Sequence, residues 1–440
     1  MHTTVTPHQA ASARVLYRTI WRWHFYAGIF CIPFVILLAI TGAIYLFKPY
    51  YESWQEAQYH GLSATREALL PNQQIAAALA AVPNGKLLSY RLPQTADEAV
   101  LVNVHADQAW QVFVNPYTGE VLGKQASSDQ LMNIVKTIHG ELLLGNTGSI
   151  LVELAACWAI VLIVTGLYLW WPRNSAGFAG VIYPRWRQGS RVFWRDLHAV
   201  TGIWIAALAL FLLVTGLPWA LVWGSALKEL RAFELNPVQQ DWTQNRQQEH
   251  QHWRAQASDV FDLTPAILAR AQALQLAPPV ELSVANAHHQ TWKASSQSQN
   301  RPRRADVWIQ RDGSIEKHSG FADKTLLDRA IGIGIAAHEG YLFGWFNVLL
   351  GVFTCAGLVL ISVSGFILWR KRKPDAVLGA PPARPAKTGT VIVGITLVLA
   401  VLLPLMGISL LVLLLLEFLV LRRIAAVRTW LGLPGAQDVA

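Results

Sequence analysis

The sequence predicts an α-helical integral membrane bundle: four core transmembrane helices arranged as two parallel repeats, a C-terminal hydrophobic hairpin, and two exported α+β domains. Long apolar runs, basic residues confined to alternate connections, and an internal repeat carry that expectation. Of 440 residues, 53% are hydrophobic, 14% are charged and 19 are tryptophans. Such a composition suits a bilayer better than a soluble globule.

A helix crosses a hydrocarbon core of about 30 Å with roughly 20 apolar residues. Residues 23–47, 150–171, 202–223 and 345–369 meet that length. The apolar stretch 390–420 is interrupted by LLPLMG at 402–407. It is long for one span and short for two, so it reads as a helical hairpin broken at its Pro and Gly. The first run exceeds the apolar core of a secretory signal and lacks a small-residue cleavage site, so it is read as a retained anchor. Domain boundaries follow. The N-terminus and first span occupy 1–47, the first exported domain 48–138, and the second span, a basic loop and the third span 139–223. The second exported domain occupies 224–337, the fourth span 338–373, and the hydrophobic hairpin and tail 374–440.

The net charge is +9, with +3, +4, +5 and +2 carried by residues 1–23, 172–197, 370–388 and 421–440. Segments 48–138 and 224–337 carry −2 and +1. Positive charge therefore gathers in the short connections on one side, which places both termini in the cytoplasm and the long polar segments outside. Nucleic-acid binding is not needed to explain the charge, and membrane lipid is the first partner implied. Cys31, Cys157 and Cys355 each lie in a different apolar run. No disulfide framework, CxxC pair or zinc site is available from them.

The repeat is explicit. WRWHFYAGIFCIPFVILLAITG and WRDLHAVTGIWIAALALFLLVTG each place a histidine 17 residues before Thr-Gly: His24 before Thr41-Gly42, and His198 before Thr215-Gly216. The partner helices match at an offset of 199: His139 with His338, Gly145 with Gly344, and Thr165-Gly166 with Ser364-Gly365. Each half is thus helix, exported domain, helix, with a histidine at the start of each helix, and the halves relate about an axis along the membrane normal. His24 and His198 fall at cytoplasmic ends, His139 and His338 at exported ends. Across a pseudo-two-fold axis each pair offers two opposed imidazoles, the ligand set of a six-coordinate b-type haem. Two haems b are expected, with Arg22 and Arg195 holding propionates of the inner one and Lys136 and Arg329 near the outer one. A lone interfacial histidine beside tryptophan is ordinarily part of an aromatic belt; four in register argue for ligation. The recurring Thr-Gly and Ser-Gly pairs read as small-residue helix packing. Glu153, early in the second span, reads either as a proton or quinol group or as a first-turn carboxylate behind an N-cap at Ser149.

The exported segments read as a helix at 72–81 followed by strands at 86–92, 99–105 and 109–123, the last folded at NPYTGE. The second segment repeats this with a helix at 264–274 and strands at 280–285, 291–296 and 305–317, folded at QRDGSI. Short amphipathic helices at 131–138 and 326–337 lead into His139 and His338. His105, Trp110, His288, His289, Trp308, Arg301, Arg303 and Arg304 are candidate contacts for an anionic or aromatic ligand.

The stretches WRWHFYAGIF…LLAITGAIYLF, IHGELLLGN…VELAACWAIVLIVTGLYLWWPR and HEGYLFG resemble the PepSY-associated transmembrane family, over about residues 17–423. That family includes FoxB-like inner-membrane reductases of ferric siderophores. The resemblance implies a bacterial inner-membrane protein with haem at both faces, held by His24 with His198 and by His139 with His338, and PepSY domains forming the exported layer. It implies electron flow outward to a periplasmic acceptor, most readily a ferric siderophore. The hairpin after Lys373 lies beyond that pattern. No catalytic proton-transfer residue is required. No strand-GxGxxG-helix unit is present, so the donor is expected to be a separate cytoplasmic reductase or a membrane quinol. The alternative is a non-redox PepSY membrane protein that binds or senses a periplasmic ligand or restrains a protease. A transporter fits less well, since broken midplane helices do not occur in both halves.

Overall fold

A computed structural model describes residues 7–64, 66–172, 177–231, 257–259, 261–286, 290–380 and 390–433. His288 and His289 lie outside them. In chain order the elements are α1 (Pro7–Tyr45), α2 (Lys48–Glu56), α3 (Pro71–Ala80), β1 (Lys86–Arg91), β2 (Val100–His105), β3 (Ala109–Val114) and β4 (Val121–Ala126). Then come α4 (Leu131–Glu141), α5 (Gly145–Trp170), α6 (Ser190–Gly216), α7 (Leu221–Arg231) and α8 (Pro265–Ala273). Strands β5 (Val280–Asn286), β6 (Thr291–Ser296), β7 (Ala305–Ile309) and β8 (Ile315–Gly320) precede α9 (Leu326–His338) and α10 (Trp345–Arg372). The chain ends in α11 (Thr390–Leu402), α12 (Pro404–Leu416) and α13 (Ala425–Leu431). Residues 1–43, 139–231 and 352–440 make one unit, and 44–138 with 232–351 make the other.

Among the described residues, five helices are long and apolar enough to cross a membrane: α1 over Val15–Tyr45, α5, α6 extended to Trp219, α10, and α12 extended to Leu421. The protein is a multi-pass membrane protein. The third span differs from the apolar run at 202–223. It begins at Ser190, through polar residues that are helical without being apolar, and ends at Gly216 because Pro218 cannot continue the hydrogen-bond ladder. The run at 390–420 is a hairpin of α11 and α12, parted at Leu403 (φ −127°, ψ 77°) with Pro404 in the first turn of α12. Its bend packs Leu403 and Met406 against Cys157, Ile160, Val161 and Leu217. Trp223 Nε1 donates to the Leu402 carbonyl at 3.0 Å, and Trp158 Nε1 to the Ser409 hydroxyl at 3.0 Å. The bend therefore sits beside the point where α6 ends. The C-terminal α13 is fastened to α1, because Arg22 and Tyr26 donate to the carbonyls of Gly432 and Leu431, which no helical N–H satisfies.

In the second unit, β-branched residues alternate along the strands as a half-buried sheet requires. Val100, Val102, Val104, Val112 and Val114 line one face with Leu282, Trp292, Ala294, Val307 and Ile309, and α3 and α8 cover that face through Ile75, Ala78, Ile267 and Ala271. The hairpin turns have the expected chemistry. Asn115 Oδ1 accepts from Tyr117 N at 2.9 Å before Gly119 at φ +75°. Asp312 Oδ1 accepts from Ser314 N at 2.9 Å across Gly313 at φ +85°. The segments expected as two domains share one eight-stranded sheet, ordered β4-β3-β2-β1-β5-β6-β7-β8. The strands that open each half, β1 and β5, pair antiparallel with Tyr90 opposite Leu282 and Arg91 opposite Glu281. Ser89 Oγ donates to Glu281 Oε2 at 2.9 Å across the join. Joining the halves removes two open strand edges.

Trp292, 1% exposed and donating from Nε1 to the Asp262 carbonyl at 3.1 Å, anchors this core. Trp292→Ala is expected to destabilise the sheet unit by about 3–5 kcal/mol. Hydrogen exchange should show the loss in β5–β7 while α5 and α6 keep their protection.

Candidate functional site

The histidines isolated by the repeat are not all at the starts of spans. His24 lies on α1 and His198 on α6, whereas His139 lies in the last turn of the short helix α4 and His338 ends α9. Spans α5 and α10 begin only at Gly145 and Trp345, after loops that include left-handed Leu142, Leu143 and Gly340. Gly340 sits at φ +88°, where an L side chain is strained, and a Cβ there would lie 2.9 Å from Leu46 Cδ2 and push that methyl aside. Asn347, 7% exposed, steadies the same turn by donating from Nδ2 to the Ala337 carbonyl at 2.8 Å.

His24 and His198 come together. Their ring centroids are 6.4 Å apart and their planes are 87° apart. A metal bonded to two imidazole nitrogens at about 2.0 Å each, with about 1.1 Å from nitrogen to ring centre, separates the centroids by about 6 Å. The spacing is compatible with two ligands of one metal and equally with an edge-to-face ring pair, whose centroids lie about 4.5–7 Å apart. Among the described residues no group of three or more His, Cys, Asp or Glu side chains converges.

Each of the three histidines in the helical unit is gripped through Nδ1. His24 Nδ1 lies 2.9 Å from Thr165 Oγ1, and His139 Nδ1 lies 2.9 Å from Thr41 Oγ1. Both hydroxyls already donate down their own helices, Thr165 to the Val161 carbonyl at 2.7 Å and Thr41 to the Leu37 carbonyl at 2.8 Å. A hydroxyl has one proton to give, so each must accept from the ring, and Nδ1 carries the hydrogen. His198 Nδ1 lies 2.9 Å from the Ile361 carbonyl, which can only accept, and 3.2 Å from Ser364 Oγ. In all three rings Nε2 is left as the basic nitrogen, as a metal ligand requires.

The glycine after each hydroxyl completes the cradle. A Cβ at Gly166 would lie 3.2 Å from His24 Cε1, one at Gly42 3.3 Å from His139 Cε1, and one at Gly365 3.2 Å from His198 Cε1. Three of the four Thr-Gly and Ser-Gly pairs read from sequence as helix packing, at 41–42, 165–166 and 364–365, therefore also hold histidines. In the first half the grip is reciprocal: α5 holds the histidine of α1, and α1 holds the histidine that precedes α5. Thr215 shares the back-bond, its Oγ1 lying 2.7 Å from the Phe211 carbonyl. The constant 17-residue spacing marks Thr41 in the sequence but pairs it with His24, whereas the fold brings it to His139.

The arginines have protein partners. Arg195 donates from Nε and Nη2 to Asp196 Oδ1 at 3.1 and 2.8 Å. Arg185 forks onto the same carboxylate at 2.6 and 2.9 Å. Arg22 Nη1 bonds the Gly432 carbonyl at 3.0 Å, and its guanidinium lies 5.1 Å from the centre of the Tyr26 ring. Lys136 and Arg329 are exposed on α4 and α9. Glu153 is 2% exposed and lies two turns inside α5, so Ser149 is no N-cap for it. Its carboxylate instead accepts from Val222 N at 2.8 Å and Trp223 N at 2.9 Å, capping α7.

The ligand candidates of the sheet do not converge. Trp110 is on β3 and carries Lys124 5.5 Å from its ring centre, while Trp308 is on β7 between Lys293 at 5.4 Å and Lys317 at 4.9 Å. Five strand steps, about 24 Å, separate those strands. His105 ends β2, and Arg301, Arg303 and Arg304 lie beside the start of β7.

The family model for the PepSY-associated TM region matches residues 21–372. No curated protein matches the chain.

Proposed function

The chain belongs to the PepSY-associated TM family, and from that premise we propose that it is an inner-membrane di-haem b protein passing electrons to a periplasmic acceptor, most readily a ferric siderophore. The observation that carries the reading is the His24–His198 pair, 6.4 Å apart with both Nδ1 atoms engaged. His24 and His198 would hold the inner haem, and for the outer haem the repeat in the sequence is what assigns His139 and His338. When bound, haem supplies a one-electron ferric/ferrous couple whose potential the axial ligands tune.

Thr41 lies 17 residues beyond His24 on α1, a rise of about 26 Å. As Thr41 grips His139, the two sites lie near opposite ends of one helix. Arg22, Arg195, Lys136 and Arg329 are the cations that would meet propionates, Arg22 and Arg195 while also bonded to the Gly432 carbonyl and to Asp196. The basic connections support an orientation with both termini in the cytoplasm and the sheet unit in the periplasm.

A quinol or a cytoplasmic reductase provides the electrons. Each quinol gives two electrons and two protons and reduces two ferric ions. Fe(II) binds hard oxygen ligands less tightly than Fe(III), so reduction releases the metal. The test is stopped-flow mixing of the dithionite-reduced, desalted protein with a ferric hydroxamate complex, with a ferrous chelator present. Oxidation of the protein with one ferrous ion trapped per electron is expected. A reduced protein that stays reduced, with no Fe(II) formed from hydroxamate or catecholate complexes, contradicts the siderophore assignment.

A further inference from the structure

We infer that Thr165 and Thr41 are positioning residues that set the basicity of the two haem ligands they hold, and that Ser364 is a weaker third. The inference rests on the haem reading above. The hydroxyls do not reach the iron. They act through the imidazole, by fixing Nδ1–H and drawing on that proton, which raises the electron density at Nε2. A more basic Nε2 favours the ferric state and lowers the midpoint potential.

The strength of the grip differs along the chain. Thr165 at 2.9 Å is the hydrogen-bond acceptor of the His24 ring, and Thr41 at 2.9 Å that of the His139 ring. His198 has a peptide carbonyl at 2.9 Å, with Ser364 further away at 3.2 Å. Removing the hydroxyl therefore matters more at Thr165 and Thr41, which lie 2.9 Å from Nδ1, than at Ser364 at 3.2 Å. Backbone carbonyls also act on His24 and His139, from Leu162 and Leu38, so what separates the three rings is how closely the hydroxyl approaches Nδ1.

The test uses full-length protein purified in detergent, with optical redox titration of the wild type, Thr165→Val, Thr165→Ser, Thr41→Val and Ser364→Ala. Valine keeps the shape of threonine and removes the acceptor. Thr165→Val is expected to weaken the ferric preference of the inner haem about ten-fold, a rise of about 59 mV for one electron. Thr165→Ser should restore the wild-type potential. Thr41→Val should move the outer haem and leave the inner one, and Ser364→Ala should move the inner haem by less than Thr165→Val. If Thr165→Val does not assemble, Thr41→Val at the other site reads the same effect. A fully loaded set whose potentials coincide overturns the inference alone. A colourless wild-type protein overturns the haem reading and this inference with it.

Discussion

Glu153→Ala is expected to be the most destabilising single change in the helical unit. The carboxylate is 2% exposed and receives two backbone N–H groups of the first turn of α7. Those amides have no partner within the helix, and hydrogen bonds to a charged group contribute about 1.5–3 kcal/mol each. The helix dipole adds to the attraction. Loss of about 3–5 kcal/mol follows, with two amides left unsatisfied beside the bend of the hairpin. Glu153→Gln should lose less, because one carboxamide oxygen still accepts. Unfolding in detergent followed by tryptophan fluorescence measures both. A Glu153→Ala protein as stable as the parent but blocked in electron transfer would point instead to a chemical role. The corresponding residue of the other half is Val352, so no matching effect is expected there.

The second large effect concerns the paired histidines. His24→Ala and His198→Ala should each empty the same haem site, leaving one haem per chain with the spectrum of the outer site. His139→Ala should remove the other haem and leave the inner spectrum. Added imidazole should restore the His24→Ala site, since the Thr165–Gly166 cradle persists. Haem per chain, by pyridine haemochrome against protein concentration, reads the outcome. Equal loss of both haems from every variant would show a folding role in place of separate ligation.

Much of the architecture is legible in the sequence because its signals are periodic. Long apolar runs and β-branched alternation depend only on local pattern, so α5, α10 and strands β1 to β8 lie where the sequence places them. What escapes is pairing over distance. Nothing in residues 86–91 or 280–286 says that these two strands join one sheet, because an edge satisfied by another strand and an edge facing water have the same side-chain alternation. Polar helical turns are likewise invisible to an apolar count, which is why the start of α6 at Ser190 lies outside the expected span.

The site shows the same division. Repetition singles out His24, His139, His198 and His338, but it is the fold that turns Thr41, Thr165 and Ser364 toward them. Thr-Gly in a membrane helix has a sufficient explanation in close packing, and only the distance to Nδ1 separates holding a ligand from holding a helix. Glu153 is similar. Its sequence neighbourhood suggests either a proton carrier or a cap of its own helix, whereas the structure gives it the N-terminus of α7, 69 residues away.

The most direct test of the central claim, that paired imidazoles from the two repeats ligate haem iron, is electron paramagnetic resonance of the oxidised purified protein. Bis-imidazole ligation predicts low-spin ferric haem. Because the His24 and His198 planes lie 87° apart, the inner haem should give a strongly anisotropic signal, distinct from that of parallel ligand planes. A high-spin ferric signal, or no ferric haem in protein made under haem-sufficient conditions, would contradict the assignment.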